Sequence, residues 1–188
     1  MAITSSDVDI CNVAISALGG KRINALGEAT NEGRLCGVYF PFLRDALLAD
    51  HKWNFASTRV YKQATLATGP LFGWSYAYQL PSNCLRVLDT EDEDMKWIVE
   101  QDQLFADYTE VSYRYIFRQT DVSKWSAGFA LAMAKGMEAL LSIPLTGRGE
   151  RQQQAWADFK QVYQLAKGVD GQEGFPSALR ISELEDVR

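Results

Sequence analysis

The sequence predicts an α+β fold, mainly helical, in which an antiparallel four-helix bundle carries an inserted antiparallel β-sheet and an extended C-terminal arm. Apolar stripes with helical period run through residues 1–52 and 120–170, and they predict the bundle. Short segments rich in aromatic and β-branched residues fill 53–119, which is typical of strands. Residues 171–188 mix glycine, proline and charges with isolated apolar residues, so we expect an arm that orders on a partner.

Two helices are expected at the start of the chain. The first begins at Ser5 or Ser6 as N-cap and ends at Gly19-Gly20, since glycine readily adopts the left-handed conformation of helix ends. The second begins after Thr30, and Pro41 should kink it because proline donates no backbone hydrogen bond. The apolar stripes of the two helices comprise Val8, Cys11, Ala14, Ile15 and Leu18, then Leu35, Val38, Tyr39, Phe42, Ala46 and Leu47.

One inserted antiparallel sheet is expected between the second and third helices. Its strands are predicted at 58–62, 75–80, 85–88, 96–99 and 111–117, with turn formers between them. The acidic run from Asp89 to Asp94 is interpreted as a solvated loop.

Two further helices are expected after the sheet. Asp121 or Ser123 should cap the third, whose residues Ala132 and Gly136 would allow a close helix approach. A tight connection over 144–147 should lead to the fourth helix at 150–167, which Gly168 and Gly171 should stop.

Two groups of apolar residues are candidate contact sites. Trp53 and Phe55 should anchor the junction between the bundle and the sheet. In the arm, the candidate anchors on a partner or a neighbouring copy are Phe175, Leu179, Ile181 and Leu184.

Charge and cysteine content exclude several function classes. A net charge of −5 argues against gripping nucleic acid, because phosphate binding needs clustered cations. Cys11, Cys36 and Cys84 are widely spaced among apolar neighbours, which favours buried thiols over a disulfide framework or a zinc site. We expect neither a metal nor a cofactor.

No membrane segment is expected. The first residues lack the basic start and apolar run of a signal peptide, and the apolar stretch 125–143 carries Lys135 and Glu138.

Catalytic interpretations are weaker than structural ones at each candidate position. His51 is the only histidine, and its place at a helix end favours capping over membership of a catalytic triad. The loop of Asp89–Asp94 lacks the glycine of a calcium loop. Nothing selects a glycosidase pair among the 24 acidic residues, and the aromatic stripe Trp125, Phe129, Trp156 and Phe159 is more typical of a core than of a sugar-binding platform.

An ordered series of motifs covers roughly residues 7–173. The most diagnostic is His-Lys-Trp-Asn-Phe-Ala at 51–56, followed by Arg59. Tyr39 precedes the motif at 44–48. The others lie at 9–19, 23–28, 78–81, 84–87, 113–121, 125–130 and 144–147. In this order they resemble the tail tubular protein A family, the head-to-tail adaptors or gatekeepers of short-tailed phages and their prophage relatives.

The resemblance implies a virion structural protein and not an enzyme. It implies a homo-oligomeric ring of about twelve copies that sits on the portal protein, with double-stranded DNA passing through the centre towards a tail or nozzle protein. The subunits would be made in the host cytoplasm, and the arm anchors would dock on the portal. Two alternatives remain open: a connector or stopper of a long-tailed phage, and a tail-associated cell-wall hydrolase.

Overall fold

A computed structural model of the protein describes residues 6–173 and has a mixed α+β fold, about half of it helical. Its helices are α1 (Asp7–Leu18), α2 (Asn31–Asp50), α3 (Ala127–Thr146) and α4 (Gly149–Gln172). Its strands are β1 (Ser57–Ala64), β2 (Tyr76–Gln79), β3 (Cys84–Thr90), β4 (Trp97–Glu100), β5 (Gln103–Ala106) and β6 (Glu110–Phe117). The α+β class and the position of the strands between the second and third helices are confirmed.

The first two helices begin where their capping residues predict. Ser6 and Asp9 form a reciprocal capping box, in which the Asp9 amide donates to Ser6 Oγ at 3.1 Å. Thr30 Oγ1 accepts from the Gly33 amide at 3.0 Å. Gly19 ends α1 with a φ of 76°, a conformation that glycine adopts at little cost. The second helix continues through Pro41 as one element.

The predicted start of the third helix is wrong by a few residues. Asp121 caps a short 3-10 turn, Val122–Lys124, by accepting from the Ser123 amide at 3.0 Å. Ser126 is the N-cap of α3 and accepts from the Phe129 amide. Local hydrogen bonding by the two candidate caps therefore forms a separate turn before the helix.

The predicted ends of the last two helices are also wrong. The third helix includes Pro144 and ends at Thr146, with Gly147 as its C-cap, so the connection to α4 is shorter than 144–147. The fourth includes Gly168 and Gly171. Each helical glycine costs roughly 1 kcal/mol relative to alanine, but burial of Ala166 and the hydrogen bonds that Asn54 donates to Asp170 hold this last part of α4 against the fold. The arm residues Phe175, Leu179, Ile181 and Leu184 lie outside the described residues.

The third helix lies at the centre of the helical part and contacts the other three helices. A Cβ added at Gly136 would lie 2.7 Å from Leu43 Cδ2 and 3.2 Å from Phe159 Cε2. The predicted close approach at Gly136 is therefore confirmed, with α2 on one side and α4 on the other. Within 6–173 only α3 is long and apolar enough to cross a membrane, and 61% of that stretch is buried inside the fold. The core helix of a globular fold has the same length and apolar composition.

The inserted strands form two three-stranded antiparallel sheets, so the expectation of one sheet is wrong. The strand orders are β1-β6-β3 and β2-β5-β4. Strand β5 was not predicted, because it has only four residues of alternating burial between two turns. The sheets share an apolar cluster separate from the helical core, whose most buried members are Tyr78, Leu104, Ala106 and Val111.

Candidate functional site

Trp53 fills the place where the helices meet the start of the inserted strands. The side chain is fully buried, and its indole N–H donates to the Leu47 carbonyl at 2.8 Å. Its ring centroid lies 4.9 Å from that of Phe129 and 6.0 Å from that of Tyr163. The partly buried Phe55 packs against the same cluster at 5.7 Å from Trp53. Trp53 thus contacts α2, α3 and α4 at once.

Asp170, near the end of α4, holds the segment that follows α2. Its carboxylate accepts from the Asn54 amide at 3.2 Å, and its carbonyl accepts from Asn54 Nδ2 at 2.7 Å. His51 Nε2 lies 3.3 Å from Asp170 Oδ2, and the His51 ring meets Trp53 edge-on. Burial raises the pKa of Asp170, although the Asn54 amide and His51 act in the opposite direction.

A second contact between α2 and α4 lies one residue before His51. Tyr163 Oη donates to Asp50 Oδ2 at 2.8 Å, and Lys167 Nζ lies 3.2 Å from the same oxygen. These bonds lower the pKa of Asp50, with Tyr163 as the larger cause, while burial raises the pKa of Tyr163. Arg86 Nη1 donates to the carbonyls of Ala49 and Asp50, each at 3.2 Å, which satisfies the end of α2.

The arrangement around His51 fits a structural role at the junction better than a catalytic one. Although His51 and Asp170 resemble two members of a catalytic triad, a triad also needs an oxygen or sulfur nucleophile beside the histidine. The surrounding pocket is lined by Asp50, His51, Lys52, Asn54, Arg86, Asp170 and Gly171. Among these described residues there is no serine, threonine or cysteine for the pair to activate.

A cleft with a basic lining, here called the basic cleft, lies beside this junction. It has a volume of about 650 Å³ and is lined by Lys52, Asn54, Ser57, Thr58, Arg59, Leu88 and Arg114. Three of these side chains are cationic and none is acidic, in a chain whose net charge is −5. The sequence prediction missed this site, because Arg114 lies far from Lys52 along the chain. Only the correct pairing of β1 with β6 would have revealed it.

Among the exposed apolar residues are pairs on two helices and on one loop. Val38 and Phe42 on α2 and Leu165 and Val169 on α4 are between 61% and 72% exposed. Members of each pair are four residues apart, so they share one face of their helix. In the β1–β2 loop, Leu71 is 100% exposed and Phe72 is 88% exposed.

The other candidates from the sequence occupy unremarkable positions. Glu91 to Asp94 are exposed in the turn after β3, while Asp89 lies within β3 and pairs with Arg114. Cys11 and Cys36 are buried and Cys84 is half-buried, all as free thiols. Trp125 and Phe129 pack edge to face in the core. No group of three or more His, Cys, Asp and Glu side chains converges within 6–173 as a metal site would require.

Comparison of the chain with protein-family models and with curated proteins finds no match. Function is therefore inferred from the chain's own residues and their arrangement.

Proposed function

We propose that the protein is a head-to-tail adaptor of a tailed phage, which assembles as a ring on the portal and connects it to the tail. The observation that carries the proposal is the presence of exposed apolar pairs on two different helices, Val38 with Phe42 and Leu165 with Val169. The ordered motifs over 7–173 support the same function by resemblance to the tail tubular protein A family.

A closed ring of identical subunits requires two different, mutually complementary surfaces on each subunit. The outer faces of α2 and α4 are candidates for these surfaces, because each exposes apolar side chains that nothing within the described chain covers. Burying one such side chain contributes about 1.5–3 kcal/mol, so one contact is weak. Repetition around the ring and attachment to a common platform make the assembly durable.

The finer architecture belongs to this proposal. The helices α1 to α4 would act as a four-helix bundle that packs side by side around the ring, with the inserted strands projecting towards the tail. The arm after α4 would dock on the portal or on a neighbouring copy through Phe175, Leu179, Ile181 and Leu184.

The net charge of −5 suits a collar through which DNA must slide. A surface of the same sign as the phosphates repels the duplex at short range, and salt screens the repulsion beyond about 10 Å. In this proposal the ring contributes shape and packing, without a chemical step, a metal or a membrane.

Co-sedimentation with the portal tests the function. The purified full chain should sediment with portal particles at a fixed ratio of more than one copy for every two portal subunits. It should release no sugar or peptide from peptidoglycan. Degradation of peptidoglycan by the chain alone, abolished by a single carboxylate substitution and without portal binding, would establish the hydrolase alternative. Portal binding together with capture by a long-tailed tail-completion protein would favour the connector alternative.

A further inference from the structure

Two arginines lie directly opposite each other in the β1–β6 ladder. Arg59 of β1 pairs in register with Arg114 of β6, and Arg114 pairs in turn with Asp89 of β3. Like charges in directly opposed positions destabilise a sheet. Asp89 offsets Arg114, since Arg114 Nε donates to Asp89 Oδ1 at 3.0 Å. Arg59 has no such partner within residues 6–173.

The basic cleft surrounds this uncompensated charge with hydrogen-bond donors. Lys52 and Arg59 are exposed, and neither forms an ion pair in the described part of the chain. The hydroxyls of Ser57 and Thr58 line the same cleft. Two available cations beside hydroxyl donors favour an occupant with several negative oxygens.

The chain leaves α4 beside this cleft. Asp170 and Gly171 line the neighbouring pocket, which shares Lys52 and Asn54 with the basic cleft. Beyond Glu173 the sequence contains Glu183, Glu185 and Asp186. The ten residues 174–183 that follow Glu173 can span up to about 33 Å when extended, so these carboxylates can return to the cleft.

We infer that the basic cleft binds the acidic segment 183–186 of the same chain, with its carboxylates paired to Lys52 and Arg59. A tethered segment is present at an effective concentration in the millimolar range, so modest ion pairs are sufficient. A DNA backbone is the less favoured occupant, because the net charge of −5 opposes the approach of a long polyanion. The inference concerns the free chain; in the proposed ring the arm would leave the cleft to dock on the portal or on a neighbouring copy.

Zero-length carbodiimide cross-linking of the full chain tests it, because this reagent joins an amine only to a carboxylate in contact. Equal amounts of unlabelled and ¹⁵N-labelled protein are mixed at low concentration and low salt, cross-linked and mapped by mass spectrometry. Cross-links from Lys52 to 183–186 should join peptides of the same label. They should exceed those from Lys160, an exposed lysine on α4, by about fivefold or more, and high salt should remove most of this excess.

A variant and a binding measurement complete the test. R59E should reduce the Lys52 cross-links by about fivefold through repulsion of the segment, with an unchanged circular dichroism spectrum. Equal reaction of Lys52 and Lys160 would overturn the inference. So would cross-links of which about half join peptides of different label, the statistical result for contacts between copies, and this result would assign the cleft to the segment of another copy. Binding of a labelled DNA duplex that R59E abolishes would overturn it in favour of phosphate.

Discussion

The backbone amide of Asn54 donates to the carboxylate of Asp170, 116 residues further along the chain, at 3.2 Å. This bond joins the start of the inserted strands to the last turns of α4. Because Asp170 is only 4% exposed, its loss leaves a partly buried donor without a partner. The contact therefore holds the helical part and the inserted part together at the junction.

Asp170→Ala should lower the free energy of unfolding by about 1–3 kcal/mol, the usual cost of an unsatisfied buried donor. The matched control is Asp158→Ala on the same helix, where the carboxylate accepts only from Gln154 on the exposed surface. That change should stay within about 0.5 kcal/mol. Urea unfolding measures the free energy of unfolding of both variants. Equal losses would show that the hydrogen bond to Asn54 does not stabilise the fold.

Asp170 and Asp50 should change stability with pH in opposite directions. Burial raises the pKa of Asp170, so the stability linked to protonation of this carboxyl is full below the ordinary value of 3.8 and is lost as the pH rises through the raised pKa. The Tyr163 hydrogen bond lowers the pKa of Asp50, so its contribution is full above 3.8 and is lost as the pH falls through the lowered pKa. Urea unfolding of wild type, D170N and D50N on both sides of pH 3.8 tests this. Parallel stability curves for the three proteins would be evidence against it.

Gly136→Ala should destabilise the fold by about 1–3 kcal/mol through overpacking. The new methyl group would meet Leu43 at 2.7 Å and Phe159 at 3.2 Å. Gly168→Ala is the control, because a Cβ there meets nothing within 4 Å, and it should stabilise the protein by about 0.5–1 kcal/mol. Thermal and urea unfolding provide the comparison. An increase in the stability of G136A would mean that α2 and α4 do not pack closely against Gly136.

Phe42→Asp and Leu165→Asp should each abolish ring formation on the portal while leaving the monomer folded. Both side chains are largely exposed, so a carboxylate costs little in the monomer but is poorly tolerated in an apolar contact. Gln153→Asp adds the same charge to the other end of α4 and should assemble normally. Sedimentation velocity in the presence of portal measures the assembly. Full assembly of both substituted proteins would exclude α2 and α4 as the contact surfaces.

The sequence was most informative where local chemistry decides the structure. Of the two candidate caps Ser5 and Ser6, the structure selects Ser6, and the predicted start of the second helix after Thr30 is confirmed, with Thr30 as its cap. Both side-chain hydroxyls accept from backbone amides of the first helical turn, which have no partner within the helix. Tertiary contacts decided what local rules did not: Gly168 and Gly171 lie inside α4, whose last turn is held by the hydrogen bonds that Asn54 donates to Asp170. The split into two sheets and the opposition of Arg59 and Arg114 depend on strand pairing, which residue composition does not specify.

The most direct test of the proposed function is electron microscopy of the full chain mixed with its portal. The proposal predicts a closed ring of regularly repeated subunits on one end of the portal, with α2 of each copy facing α4 of the next around an open channel. Portal particles that remain bare at saturating protein concentration, or that carry isolated subunits without rotational order, would contradict it.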